Sequence, residues 1–501
     1  MPTAFTIGII QITSGVVSTI LAILGWILLD EIRHEYLLIS TALPTIAMFL
    51  CGMCAIGFVR KSLHSLLIGI IFFATICVAS EIFSIASHSY IIYIFSRRNS
   101  KVVKLAVASI SLILSCIFGV FNGYVIIKFA RYLVTVNASF EGGATQSNNQ
   151  QSGMASTTTP VDAHFLFFGL FGPGLFQLVS GGVTLVLGIV SLVVLQGGFA
   201  PATCYLGSIM IASGTITHLT QKLRNIKSLT TWSLITSKWA CLWSFALIVS
   251  STLYLVFNII GRQIFAAYIA FYVLVMIAGL LNLVGSAIIT FKMASLEEVP
   301  VFKLTLFNRL RMPITSQNIT FGITLCCFGF LFIIVTFIEP FVGIPTHLLY
   351  TFATGCQLIL AGQLGNNLAF KYSEDLVASY FIINFMASAF ITTYLGLLIA
   401  ECTSLPFILT QRPASIAMAI VNFVLIAPAL IISLYETVIT GYRSGICICG
   451  DRPAVAMIEN TYDASEQAQE TNSPIDNLNH TFAIQDDTKH SIQDISGETQ
   501  I

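Results

Sequence analysis

The chain has 501 residues, 56% of them hydrophobic and only 9% charged, and its mean hydropathy is +0.87. Soluble domains carry about 25% charged residues, so this composition excludes a water-soluble fold and makes the lipid bilayer the chain's solvent. Basic and acidic residues balance at 23 each, which excludes a basic nucleic-acid surface, and no cysteine–histidine set has zinc-ligand spacing.

A membrane-crossing helix needs about 20 mostly apolar residues. Runs of that kind lie at 5–29, 37–59, 65–93, 103–130, 164–196, 200–219, 238–260, 264–291, 319–339, 346–370, 377–400 and 415–440. The first opens close to Met1 with neither a basic region nor a small-residue cleavage site, so it is expected to be retained as a span. Polar stretches follow the fourth and eighth runs: Ala138 to Thr159, rich in Ser, Thr, Gln, Asn and Gly, and the basic segment Lys292 to Gln317. An acidic tail from Asp451 to Ile501 has the composition of a disordered segment. The expected fold class is all-α, a polytopic transmembrane helix bundle of about 12 spans.

The spacing predicts three four-helix units at 1–131, 164–293 and 319–449, separated by linkers at 132–163 and 294–318, with a tail at 450–501. Glycines carry the repeat. Gly174, Gly181, Gly207 and Gly214, each displaced by 148 positions, fall on Gly322, Gly329, Gly355 and Gly362. The first unit fits more loosely, through Gly8, Gln11, Gly15 and Gly52.

Gly-x-x-Gln-x-x-x-Gly opens the first two units, as Gly8/Gln11/Gly15 and Gly174/Gln177/Gly181. Positions i, i+3 and i+7 share a helix face. Small residues there admit a neighbouring backbone, and the glutamine can hydrogen-bond across helices. Helix packing is the expected role of these six and of Gly207, Gly214, Gly322, Gly329, Gly355 and Gly362, with a ligand role for Gln11 or Gln177 as the alternative; Leu325 replaces the glutamine in the third unit. Ionisable residues within spans are functional candidates. Here they are Glu81 and Glu436, with His88, His164 and His218 expected at the interfaces. Glu436 has approximate counterparts in Asn122 and Asn282, which read either as hydrogen-bonding locks or as the lining of a shared polar pathway. Cys447 and Cys449, just after the last span, are candidates for S-palmitoylation. No nucleophile–base pair, phosphate-binding loop or metal cluster can be assembled, so the expectation is a non-enzyme without a cofactor.

Lys and Arg placement sets orientation. With the N-terminus inside, 16 fall on the cytoplasmic side and 7 outside, which predicts both termini cytoplasmic. Three N-glycosylation tripeptides, at Asn137, Asn318 and Asn479, then face the cytoplasm.

Gly174-Leu-Phe-Gln177-Leu-Val-Ser-Gly181 resembles the first span of the membrane-spanning 4-domains subfamily A proteins, and Ile211-Ala-Ser-Gly214-Thr the end of their second. Asn384-Phe-Met-Ala-Ser388 is similar to the third span. Leu434-Tyr-Glu436, with Gly445-Ile-Cys447-Ile-Cys449, is similar to the fourth and the cysteines after it. Members of that family have one unit where this chain would have three, and the paired cysteines of an outer loop are missing. The resemblance implies a plasma-membrane protein that associates with itself and with receptors, modulating signalling or calcium entry without catalytic residues. The lipid bilayer is the one partner that composition itself requires.

Overall fold

The apolar runs form helices because a backbone in lipid must satisfy its polar groups internally. A computed structural model describes residues 2–28, 34–97, 102–147, 163–194, 200–223, 226–260, 266–296, 317–342, 348–370, 374–402 and 413–443. All of these lie within one compact unit, Met1–Cys447. Among them are twelve helices and no strand: α1 (Pro2–Leu28), α2 (His34–Arg60), α3 (His64–Arg97), α4 (Val102–Ser147), α5 (Ala163–Val194), α6 (Ala200–Lys222), α7 (Lys227–Ile260), α8 (Ala266–Leu296), α9 (Gln317–Val342), α10 (Leu348–Phe370), α11 (Glu374–Cys402) and α12 (Pro413–Arg443).

Ten of the twelve are long and apolar enough to cross a membrane. The chain is an integral, multi-pass helical membrane protein. The other two, α6 and α10, have 23 residues each, about 35 Å at 1.5 Å per residue. They are richer in Thr, Ser, Gly and Gln, and most described side chains on them are buried. A helix covered largely by protein has little lipid contact to demand an apolar surface, which explains their composition.

The helices pack in three groups of four. Within α1–α4, α5–α8 and α9–α12, each helix contacts the next and the fourth returns to the first. The second and third helices of each group make the junctions. Helix α3 packs on α6, α7 on α10, and α11 on α2, so the groups meet head to tail in a closed ring. The third helices α3, α7 and α11 also touch one another at its centre. Burial follows this plan: 89% of the α3 span is buried, against 22% of α4. The large exposed apolar side chains, such as Ile113, Val183, Val284, Ile334 and Val424, sit mainly on first and fourth helices, the faces presented to lipid.

The centre of the ring is filled with aromatic rings. Phe72 of α3 lies 5.8 Å from both Trp232 and Trp239 of α7, and Trp243 of α7 lies 5.7 Å from Phe390 of α11. Trp232, Trp239 and Trp243 are fully buried.

Two bounds differ by more than ten residues from those the sequence predicts. The seventh span, expected at 238–260, begins at Lys227. Its first three turns carry Ser228, Thr230, Thr231, Ser233, Thr236 and Ser237, which lower its hydropathy; most of them are buried against neighbouring helices. Helix α4 continues to Ser147, past the expected unit boundary at 131 and into the polar stretch.

Candidate functional site

The first contact inside each group is a glycine crossing. A methyl group built on Gly181 of α5 would lie 2.8 Å from the amide nitrogen of Ile211 and 3.0 Å from the carbonyl oxygen of Gly207 on α6. One built on Gly207 would lie 2.8 Å from the carbonyl of Gly181. Gly174 and Gly214 approach in the same way two turns along, the methyl position of Gly214 lying 2.9 Å from the carbonyl of Gly174. In the third group Gly329 meets Gly355 (2.6 Å to its carbonyl), and Gly322 meets Gly362. The first group has one such pair, Gly8 and Gly52, the methyl position of Gly52 lying 2.8 Å from the carbonyl of Gly8. There Gly15 faces the ring of Phe49 at 3.1 Å instead of a second glycine. Backbones this close leave no volume for a side chain.

In the first two groups a glutamine ties the first helix to the fourth. Gln11 of α1 donates to the side-chain oxygen of Asn122 on α4 at 2.7 Å, and Asn122 in turn donates to the Phe118 carbonyl at 2.9 Å. In the second group Gln177 donates to Ser286 of α8 at 3.0 Å, while Asn282 donates to Thr184 of α5 at 2.9 Å. Asn282 is therefore not at the depth of Asn122: Ser286, one turn further on, takes the place of Asn122 as the glutamine's partner. The third group has Leu325 in place of the glutamine. Its acid turns elsewhere, with Tyr380 of α11 donating to Glu436 of α12 at 2.9 Å. The lock there joins third and fourth helices. Glu436 is 1% exposed and does not reach an interface. His88, expected at an interface, is also buried. Cys447 and Cys449 lie outside the described residues.

A hydrogen-bonding role for Glu436 requires only an acceptor for Tyr380. Glu436→Gln keeps one, and is expected to leave thermal stability within a few tenths of a kcal/mol of wild type. Glu436→Leu strands a buried hydroxyl and should cost about 1–3 kcal/mol. The check is thermal unfolding of both purified variants. Equal losses in the two would show that the charge itself is needed.

A further constellation has no counterpart in the sequence reading. Ser65, Ser228 and Asp375 are each the second residue of a third helix, and the three meet where those helices begin. The Asp375 carboxylate accepts the backbone N–H of Ser65 at 3.1 Å and the hydroxyl of Ser228 at 2.6 Å. The Ser65 hydroxyl accepts the Trp232 indole N–H at 2.7 Å and lies 2.9 Å from the Ser379 hydroxyl. A carboxylate at helix N-termini is favoured by the exposed amide groups and the helix dipole. One acid thus ties all three groups together. The signal for it in the sequence is a short polar residue opening each third helix, a start preference shared by many helices.

Among the described residues no group of three or more His, Cys, Asp or Glu could hold a metal ion. The arrangement holds helices together through close backbones, amide locks and one carboxylate hub. Comparison with family models, curated proteins and solved structures finds no match to this chain.

Proposed function

We propose that this chain is a non-enzymatic membrane scaffold of the tetraspan type, three tandem four-helix units fused into one ring, which modulates signalling by associating with receptors in the plasma membrane. The observation that carries the reading is the solid ring centre. Buried Trp232, Trp239, Trp243, Phe72 and Phe390 fill the line along which a ring of subunits would conduct, while the apolar faces of first and fourth helices point outward. Equivalent glycine crossings in the second and third groups, together with the resemblance to the membrane-spanning 4-domains subfamily A motifs, support the tandem origin.

A photo-crosslinking residue at Val183, which faces outward from α5, is expected to capture a receptor helix or a second copy in cells. Capture of lipid alone would remove the scaffold reading. The distribution of Lys and Arg supports both termini in the cytoplasm, so glycosidase should leave the protein's mobility unchanged; a shift abolished by Asn137→Gln or Asn318→Gln would reverse the orientation.

A second reading, a calcium-entry subunit, is favoured by the buried acids Glu81 and Glu436, each between the third and fourth helices of its group. Cation flux into proteoliposomes separates the two. Flux above that of empty vesicles, lost in Glu436→Gln, would put the channel ahead.

A further inference from the structure

Helix α3 carries ionisable side chains that its equivalents lack. Glu81, Ser84 and His88 stand at i, i+3 and i+7, on one face, with Glu81 and His88 about 10 Å apart along the axis. Counted from Ser65, Ser228 and Asp375, the positions equivalent to Glu81 are Ser244 and Ile391, and those equivalent to His88 are Ser251 and Leu398. Both serines donate to carbonyls of their own helix. Packing in this fold therefore proceeds without an acid or an imidazole at either level.

Glu81, Ser87 and His88 are buried and incompletely bonded. Glu81 is 2% exposed and meets the Ser115 hydroxyl of α4, but its Oε2 has no hydrogen-bond partner. The Ser84 carbonyl approaches His88, yet neither ring nitrogen completes a hydrogen bond, and the Ser87 hydroxyl is unpartnered too. Leaving such groups unpaired in an apolar interior is unfavourable, because each has given up its hydrogen bonds to water. The α4 wall beside Glu81 is thin: a methyl group built on Gly119 would find only the Cβ of Glu81 within 4 Å, at 3.7 Å. Ser111 and Ser115 lie one turn apart, both buried, on α4. His88 is the last buried residue of α3; Ser89, next along, is exposed. Water supplies the missing donors and acceptors where a site is polar and roomy enough.

From this geometry we propose that Glu81 is a proton-binding site, reached from the membrane face at which α3 ends through a hydrated relay of His88, Ser84 and Ser87 between α3 and α4. Chains of Glu and His within spans serve proton transfer. The titratable groups that neighbouring helices bring to α3 are few. Helix α2 brings the thiols Cys51, which donates to the Ile70 carbonyl of α3 at 3.6 Å, and Cys54. Helix α6 brings Cys204, packed near Ala79 and Phe83, and Tyr205, whose hydroxyl faces Leu43 of α2. Helix α11 brings Asp375, at the opposite end of α3. Helix α5 brings the apolar Leu185 and Leu192, and α7 meets α3 through Trp232 and Trp239. Lys238 of α7 lies one turn from Cys241, which packs on α8. The site does not depend on the scaffold reading.

A hydrophobic carbodiimide tests it on the full chain in lipid nanodiscs. Only a protonated carboxyl adds across the reagent's N=C=N, forming an O-acylisourea that rearranges to a stable N-acylurea, read by peptide mass spectrometry at Glu81. Labelling is expected at low pH and should fall about tenfold for each pH unit above its midpoint, as one-proton mass action requires. After a jump in pH, His88→Leu should lag wild type in reaching the new labelling level. Size-exclusion and thermal unfolding establish that this variant is folded, and Ser87→Ala, which should also lag, provides a milder second variant. Labelling absent at every pH, or present at one level throughout, overturns the site. A pH response in which both variants keep pace with wild type overturns the relay.

Discussion

Gly181→Ala is expected to destabilise the protein by about 1–3 kcal/mol, the cost of overpacking, while Gly182→Ala, at the next position, is neutral or slightly stabilising. The two glycines share a helix and a local sequence but meet different surroundings. A methyl group on Gly181 would press on the backbone of Gly207 and Ile211, whereas one on Gly182 finds nothing within 4 Å. Away from any contact, alanine is the better helix former by roughly 0.5–1 kcal/mol, so the two changes should differ in sign as well as size. Gly329→Ala should behave like Gly181→Ala, because its methyl position lies 2.6 Å from the Gly355 carbonyl. Leucine at either site should lower the yield of folded protein. Thermal unfolding in detergent, with expression level alongside, measures both effects. If Gly181→Ala and Gly182→Ala unfold together, the crossing of α5 and α6 is looser than these distances require.

Asp375→Ala should produce the other large loss. Its carboxylate accepts from two different helix groups, through Ser65 N–H and the Ser228 hydroxyl. Hydrogen bonds to a charged group contribute about 1.5–3 kcal/mol each. Asp375 is only partly buried, which places the expected loss toward the lower end. The informative form of the experiment is a double-mutant cycle with Ser228→Ala. The pair should be less destabilised than the sum of its members, because either change alone removes the bond between them. Strict additivity would mean that the hub does not couple the two helices. Asp375→Asn, which keeps an acceptor for one partner, should fall between wild type and alanine.

The sequence makes the spans and the glycine crossings legible for a physical reason. Lipid demands long apolar runs, and close backbones demand glycine, so each leaves a mark in residue type and spacing. Gln11 and Gln177 were legible as polar groups on a packing face, but not their partners, since Asn122 and Ser286 lie more than a hundred residues away and at different positions in their helices. The start of α7 was obscured because hydropathy registers what a side chain is, not what covers it. Ser233, Thr236 and Ser237 read as a loop yet are buried between helices. Ring closure was the least legible of all. Helix α11 finds α2 and α3 through Asp375, Ser379 and contacts of mixed shape, which follow no period along the chain.

Carrying all three groups on one chain changes how such a protein can vary. In a ring of identical subunits every substitution appears three times, so a residue that is useful at one junction must be tolerated at all of them. Here each junction is encoded separately. Asp375 has serines as its counterparts at Ser65 and Ser228, and three carboxylates meeting at that point would repel one another. Glu81 likewise occupies one wall while Ser244 and Ile391 occupy the others. A substitution in this chain is tested once, against one set of neighbours, and the three walls are free to diverge into different tasks under the same architecture.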